Sequence, residues 1–247
     1  MKKTQGQERD IIEFSTLETK CVYQDNKKMK MEYKYIKDSP LDLNTKLNQR
    51  GWRRFGNYFS RPVCYSCHDC ISLKIDVENF KLSRSAKRVY KKNKAANTKI
   101  LIKTPSITDE HIKLYRKFHQ YMHQKKGWDN YNITPSTYED LYVLGHSFYG
   151  KEILYFVDGK LVGVDLVDFL EDGISAIYFY YDPDFAHLSL GRYSIYKQID
   201  FARELELKWI YLGYAVENCN SLNYKFDYKP HLRLINNPNI DEEAIWI

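Results

Sequence analysis

The stretch Glu152–Asp182, EILYFVDGKLVGVDLVDFLEDGISAIYFYYD, decides the fold. It holds three runs rich in β-branched and aromatic residues, Glu152–Asp158, Leu161–Phe169 and Ile174–Asp182. Asp158 with Gly159, and Asp172 with Gly173, stand at the joins. Asp-Gly supplies the positive φ that a tight hairpin needs, so the runs read as antiparallel strands joined by hairpins. Downstream, the loop Pro183–Leu190 leads into a helix from about Gly191 to Glu206. Ile195, Ile199, Ala202 and Leu205 mark its core face at helical spacing. Lys208–Tyr214 is a further strand. Strand, helix and strand in succession require a parallel pair joined by a right-handed crossover.

Hairpins feeding one such crossover resemble the layout of the acyl-CoA N-acyltransferases, the GNAT fold. The resemblance implies that the loop and helix start after the fourth strand, here His187–Tyr193, receive the acyl donor. Free N–H groups at a helix start suit an anion or oxyanion. The coenzyme A signature of that fold is a longer glycine-rich turn, and this loop carries one glycine, Gly191.

Upstream, Lys99–Lys103 is the first strand of this body. Thr108–Lys126 is a helix with Asp109 and Glu110 in its first turn, where carboxylates suit the dipole. Its buried face is Ile112, Tyr115, Phe118 and Met122. Thr134 and Pro135 start another helix. Before them lies Lys81–Lys99, in which Lys81, Arg84, Lys87, Arg88, Lys91, Lys92, Lys94 and Lys99 occur with no acid among them. Such runs are ordinarily a solvated face; the alternative is a phosphate-backbone contact. The reading divides the α+β chain there: residues 1–97 form a small cysteine-containing domain with the basic segment, and residues 98–247 a GNAT-like acyltransferase domain.

The N-terminal part centres on Gly51–Cys70, GWRRFGNYFSRPVCYSCHDC. Arg53, Arg54 and Arg61 offer guanidinium groups, and Cys64, Cys67 and Cys70 offer three thiols on one loop. Ile71–Val77 alternates as a strand after it, and Leu41–Arg50 reads as a helix before it. With 247 residues and 43% hydrophobic composition, the chain is long enough to bury a core without disulfides. The net charge of +6 favours polyanions. The opening MKKTQGQERDIIEF has no apolar run of signal-peptide type, and no stretch approaches the roughly 20 residues of a membrane span. The expected location is cytoplasmic, with no membrane contact. Five cysteines in a reducing compartment do not make a disulfide framework.

Taken together, these residues resemble a known family. Gly51, Trp52, Arg53 and Arg54, then Arg61 and Pro62, then Cys64, Cys67 and Cys70, followed by Phe80, Ser83, Arg84, Ser85 and Arg88, resemble the first half of the aminoacyl-tRNA–protein transferases of the N-degron pathway. Tyr178, Tyr181, Asp182 and Pro183, then Ser189, Leu190 and Gly191, then Tyr211 to Tyr214, and Asn223 to Lys225, resemble the second half. Cys21 and Tyr23 resemble the family's early Cys-x-Tyr. The resemblance covers about residues 20–232. The compact length and the C-x2-C-x2-C form resemble the bacterial branch, whose members transfer leucine to N-terminal Asp or Glu and mark proteins for degradation. Leucyl-tRNA is the implied donor, with arginyl-tRNA as the alternative. Proteins beginning with Asp or Glu are the implied acceptors.

The chemistry sets three tasks. An N-terminal acidic side chain calls for a guanidinium, and Arg53, Arg54 and Arg61 are the candidates. The acceptor α-ammonium, with a pKa near 8, needs a weak base and a holder. Asp165, Asp182 and Tyr178 are the candidates, although Asp182 before Pro183 also reads as a turn residue. The oxyanion and the RNA end fall to the backbone near Ser189 and Gly191, with Tyr214, Lys225, Arg84 and Arg88. Ester to amide is downhill, so the transfer itself requires no cofactor. Cys21, Cys64, Cys67 and Cys70 are candidate ligands for zinc or an iron–sulfur cluster, with His68 a rival for the fourth place; packed, metal-free thiols are the plainer alternative. Two competing readings are a CoA-dependent N-acetyltransferase, which leaves Gly51–Cys70 unexplained, and a zinc-binding nucleic-acid module, which leaves the acyltransferase-like half idle.

Overall fold

The computed structural model describes residues 11–129, 132–146 and 148–247; the basic opening of the chain, residues 1–10, lies outside them. The first elements are Ile11–Ser15 (β1), Thr19–Lys20 (β2), Lys28–Met29 (β3), Met31–Ile36 (β4), Leu41–Gln49 (α1), Arg53–Phe55 (β5) and Tyr58–Pro62 (β6). A four-stranded sheet forms in the order β1, β4, β6, β5, with β2 and β3 a separate ribbon. Next come Ile71–Asp76 (β7), Arg84–Ala95 (α2), Lys99–Lys103 (β8), Asp109–Lys126 (α3) and Pro135–Tyr138 (α4), which continues into a π-helical turn at Glu139–Val143. The remainder is Gly150–Val157 (β9), Lys160–Phe169 (β10), Gly173–Tyr181 (β11), a 3-10 helix at Pro183–Leu188, Leu190–Glu204 (α5), Trp209–Ala215 (β12), a second 3-10 helix at Asn223–Asp227 and His231–Arg233 (β13).

The main body is a seven-stranded sheet in the order β13-β7-β12-β11-β10-β9-β8. The hairpins read from the sequence are present, closing at Lys160 opposite Val157 and at Phe169 opposite Ile174. Asp158 and Gly159, at φ of +50° and +77°, supply the left-handed pair of the first turn. β11 and β12 are parallel, with α5 as the crossover. Local capping fixes where the helices begin. Ser83 accepts from the Ala86 N–H, Thr108 from His111 and Thr134 from Thr137, and α3 stops at Gly127 in the left-handed conformation.

Both faces of the sheet are covered. Val164 and Leu166 of β10 pack with Ile112, Tyr115 and Phe118 of α3. Val162 and Val167 pack with Ile195 and Ile199 of α5 and Val89 of α2. Each such aliphatic side chain gains about 1.5–3 kcal/mol on burial, so a one-residue slip in register is strongly disfavoured.

The expected division at residue 97 does not divide this sheet. β7, from the N-terminal part, pairs with β12 from Trp209 opposite Asp76 to Ala215 opposite Ile71, and β13 lies on its other side. Leu73 and Ile75, fully buried, find their cover in the cluster that α5 builds. Leu205 is not a core residue: it caps the end of α5 and is 55% exposed. β1, a stretch that shows little periodicity, is held by its pairing with β4. Among the described residues no helix is long and apolar enough to cross a membrane.

Candidate active site

β11 and β12 pair over only three positions, Gly173 with Trp209, Ile174 with Ile210 and Ser175 with Tyr211. Beyond them each strand carries a register break. β11 skips Ile177 against β10, and β12 skips Leu212 against β7. Bulges bend a strand and raise its twist, and here the two parallel strands part. The bulges also turn carbonyl groups toward the gap. Arg53, from β5, occupies it. Its Nη1 donates to Leu212 O at 3.1 Å, and its Nη2 to Ala176 O at 3.0 Å and Ile177 O at 2.9 Å. Gly213 makes the room: its φ is +68°, and a Cβ there would lie 1.6 Å from Arg53 Nη1. That accounts physically for the Tyr211–Tyr214 motif.

Lys225 lies beside Arg53. Its Nζ donates to Leu212 O at 2.8 Å and Tyr214 O at 2.9 Å, and the residue is buried. Burial, and then the charge of Arg53, pull its pKa well below the ordinary lysine value. The expectation that Lys225 touches the RNA end is therefore corrected, because its ammonium is turned inward onto the backbone. Neither cation is paired with a carboxylate among the described residues. Tyr214 flanks the gap, its ring 5.7 Å from the Arg53 guanidinium carbon and its hydroxyl 3.3 Å from that of Tyr23.

On the α5 side of the sheet, Ser189 adopts a left-handed conformation (φ +57°) and its side chain makes no capping bond. The helix starts at Leu190 and Gly191, and the Phe179 ring packs 3.7 Å from where a Gly191 Cβ would stand. Asp165 is on β10 directly opposite Phe179. It is 1% exposed, accepts from Gln198 Nε2 at 2.8 Å, and is pushed up to about 7 by burial. Gln198 is a site residue that sequence reasoning missed. The signal was a polar residue on the apolar face of α5, one turn after Ile195.

Tyr178 projects to the other face. Its hydroxyl meets His119 Nε2 at 2.8 Å, and its ring stacks on Tyr142 at 5.6 Å. Burial raises its pKa well above the ordinary value and lowers that of His119. Asp165 and Tyr178 therefore do not share a pocket.

Three expectations are corrected by the partners found. Arg54 is buried; its Nε and Nη2 each lie 2.7 Å from the Asp168 carboxylate, and its Nη1 donates to Gly56 O and Leu144 O. Arg61 is buried over the Trp52 ring, with Nε on Glu32 and Nη1 on Pro238 O. Asp182 is held by Lys117 and Lys160 and accepts from the Asp184 N–H, so it is the turn residue. Burial pushes its carboxyl up, but the hydrogen bonds from the two lysines outweigh this and hold it below the usual range. Arg84 and Arg88 stand exposed on α2.

Cys21, Cys64, Cys67 and Cys70 line one cavity of about 330 Å³ together with His68 and Tyr214. Burial, and then the neighbouring Cys64, Cys21 and Cys67, push the Cys70 thiol up to about 12. Four sulfurs are a donor set that zinc or an iron–sulfur cluster takes. Among the described residues no group of three His, Cys, Asp or Glu side chains has the geometry of a metal site.

Comparison with known proteins fits this geometry to a class. Residues 19–88 match the family described as "Arginine-tRNA-protein transferase, N terminus", and residues 110–235 match "Arginine-tRNA-protein transferase, C terminus". The chain is an aminoacyltransferase, and it belongs to the arginine-tRNA-protein transferase family. The aspartate/glutamate leucyltransferase of Campylobacter jejuni is 47% identical over 236 residues, covering 95% of this chain and 98% of that protein. The protein of the same name from Helicobacter hepaticus is 44% identical, covering 96% and 97%. Among solved structures, FemX aligns with a TM-score of 0.45 at 11% identity, covering 80% of this chain and 61% of that one.

Proposed function

We propose that the chain transfers leucine from leucyl-tRNA to the α-amine of proteins that begin with Asp or Glu. The names of the Campylobacter and Helicobacter relatives support the leucyl donor and the acidic acceptor. The observation that carries the acceptor side is the gap between β11 and β12, where Arg53 and Lys225 lie together without a carboxylate. An incoming acidic side chain supplies the missing charge. Of the three candidate arginines, Arg53 is the one this proposal retains.

The body around the gap works as an N-acyltransferase of GNAT type. The aminoacyl end lies on the α5 side, against Ser189 and Gly191, where the Leu190 and Gly191 N–H groups at the helix start suit the oxyanion, the Ser189 N–H being held by Ala186 O. The amine nitrogen attacks the ester carbonyl carbon. A C–N bond forms, the bond to the ribose oxygen breaks, and the proton released by the amine restores the ribose hydroxyl. Asp165 is the carboxylate that holds an ammonium group in this arrangement.

The test is a matrix of leucyl-, arginyl- and other charged tRNAs against peptides of varied first residue. Label is expected to move from leucyl-tRNA to peptides beginning Asp or Glu, not to peptides beginning Ala or to N-acetylated ones. Transfer from arginyl-tRNA alone would move the chain to arginine as the transferred residue.

A further inference from the structure

Asp165 presents an unusual set of partners. A buried carboxylate is costly unless something pairs with it, yet one side-chain amide, from Gln198, is its hydrogen-bond donor, and no Lys, Arg or His pairs with it among the described residues. The other polar groups nearby are also incomplete. Gln198 Oε1 is buried with no partner, and so is the hydroxyl of Tyr155, a residue close enough to feel the Asp165 charge. Both side chains are at least 99% buried. Asp165 and the Gln198 oxygen accept hydrogen bonds, and the Tyr155 hydroxyl accepts as well as donates. An ammonium carries three N–H donors and a full charge, which matches that set.

Position on the sheet selects among ammonium groups. Gly163, two residues before Asp165, and Gly191 both present bare backbone to the Phe179 ring. Phe179, opposite Asp165, is partly exposed and reaches Gly191 at the start of α5, while the Asp165 carboxylate behind it bonds to Gln198 further along the same helix. The proposed function places the aminoacyl end of the donor at the start of that helix, on the same face of the sheet. An aminoacyl ester carries its own α-ammonium, one bond from the carbonyl carbon under attack.

We propose that Asp165, with Gln198 and Tyr155, binds the α-ammonium of the amino acid being transferred, so that the site accepts a free aminoacyl group and rejects one without that charge. This rests on the reading of the chain as a leucyl-tRNA-dependent transferase. The carboxylate thus acts as a donor-specificity residue and leaves the acceptor amine to other groups.

The experiment compares leucyl-tRNA with its 2-hydroxy-4-methylpentanoyl analogue, in which a hydroxyl of similar size replaces the α-ammonium. Both donors are tried with one peptide beginning Glu. The unaltered protein is expected to favour leucyl-tRNA in kcat/KM by roughly 10–100-fold, the span of a charged hydrogen bond. Asp165→Asn is expected to bring that ratio close to one by slowing the leucyl donor and leaving the hydroxy donor where it was. Tyr155→Phe, which keeps the ring packing, is expected to shrink the ratio in part. An unchanged unfolding midpoint or a higher one identifies the variants as folded.

Equal slowing of both donors by Asp165→Asn, or a loss confined to KM for the peptide, overturns the assignment and gives the carboxylate to the acceptor or to packing. A preserved ratio in the variant overturns it too. If the unaltered protein moves no leucine from leucyl-tRNA, the underlying function fails with it, so the two failures are told apart.

Discussion

Asp165 and Asp168 lie three residues apart on β10 and are both buried, yet the fold treats them in opposite ways. Asp168 faces α1 and β5, where Arg54 grips it with two bonds of 2.7 Å and Asn44 adds one of 2.9 Å. Asp165 faces α5 and receives one amide. Successive residues on a strand point to opposite faces, so a spacing of three separates these two completely. The difference teaches that a carboxylate needed by the architecture is partnered within it, whereas one left without a cation is set to meet its partner from outside. The largest effect is expected where the internal pair is broken. Arg54→Ala leaves Asp168 buried and alone, and is expected to lower stability by about 3–5 kcal/mol in urea unfolding. Arg54→Lys recovers only part, since an ammonium cannot match both carboxylate oxygens at once. A loss under about 1 kcal/mol for Arg54→Ala would erase the contrast between the two aspartates.

Asp165 sets the next effect, through pH. Its carboxyl rises from 3.8 to about 7 on folding because burial disfavours the charge. Between those values the folded chain holds a proton that the unfolded chain has released. Stability therefore falls as pH rises through that window, by something on the order of 2–4 kcal/mol from this one group. Asp165→Asn removes the slope, so the difference between the unaltered chain and the variant in midpoint unfolding from pH 4 to 8 is expected to grow steadily in the variant's favour. A constant difference over that range would mean that Asp165 is paired after all.

Much of the sheet was legible in the sequence because its signals are local. The β-branched and aromatic runs of β10 and β11, the Asp158–Gly159 turn and the spacing of Ile195, Ile199 and Ala202 are each local, whereas Asp172 and Gly173 take no positive φ. The site was less legible because its decisive contacts join distant parts of the chain. Arg54 meets Asp168 across 114 residues, and Lys117 meets Asp182 across 65. Arg53 and Arg54 are neighbours on β5 and must face opposite ways, but nothing local says which face holds the gap. The bulges at Ile177 and Leu212 that open it depend on pairing with β10 and β7, which only the assembled sheet defines. Gln198 carried a local signal, a polar residue at an apolar position of α5, but the sequence reading passed over it.

The same contrast between partnered and unpartnered charge extends to the surface, where its effect is smallest. On α2, Arg84, Lys87, Arg88, Lys91, Lys92 and Lys94 are all exposed, and no carboxylate pairs with any of them among the described residues. Arg84 stands in the first turn, where the helix dipole disfavours a cation, and Arg88 lies one turn on from it. Packing does not require this pattern, since α2 docks on α5 through Ala86, Val89 and the Tyr90 hydroxyl on Asp200. An RNA backbone is the polyanion the proposed reaction brings. Replacing Arg84 and Arg88 together by Gln is expected to make the dependence of log Kd for charged tRNA on log salt shallower by roughly 1.4–1.8 units, if each meets one phosphate. Folding stability is expected to hold or to gain a few tenths of a kcal/mol as the like charges are removed. An unchanged salt slope would return α2 to an ordinary solvated face and leave Arg53 and Lys225 as the unpartnered cations with a role in substrate binding.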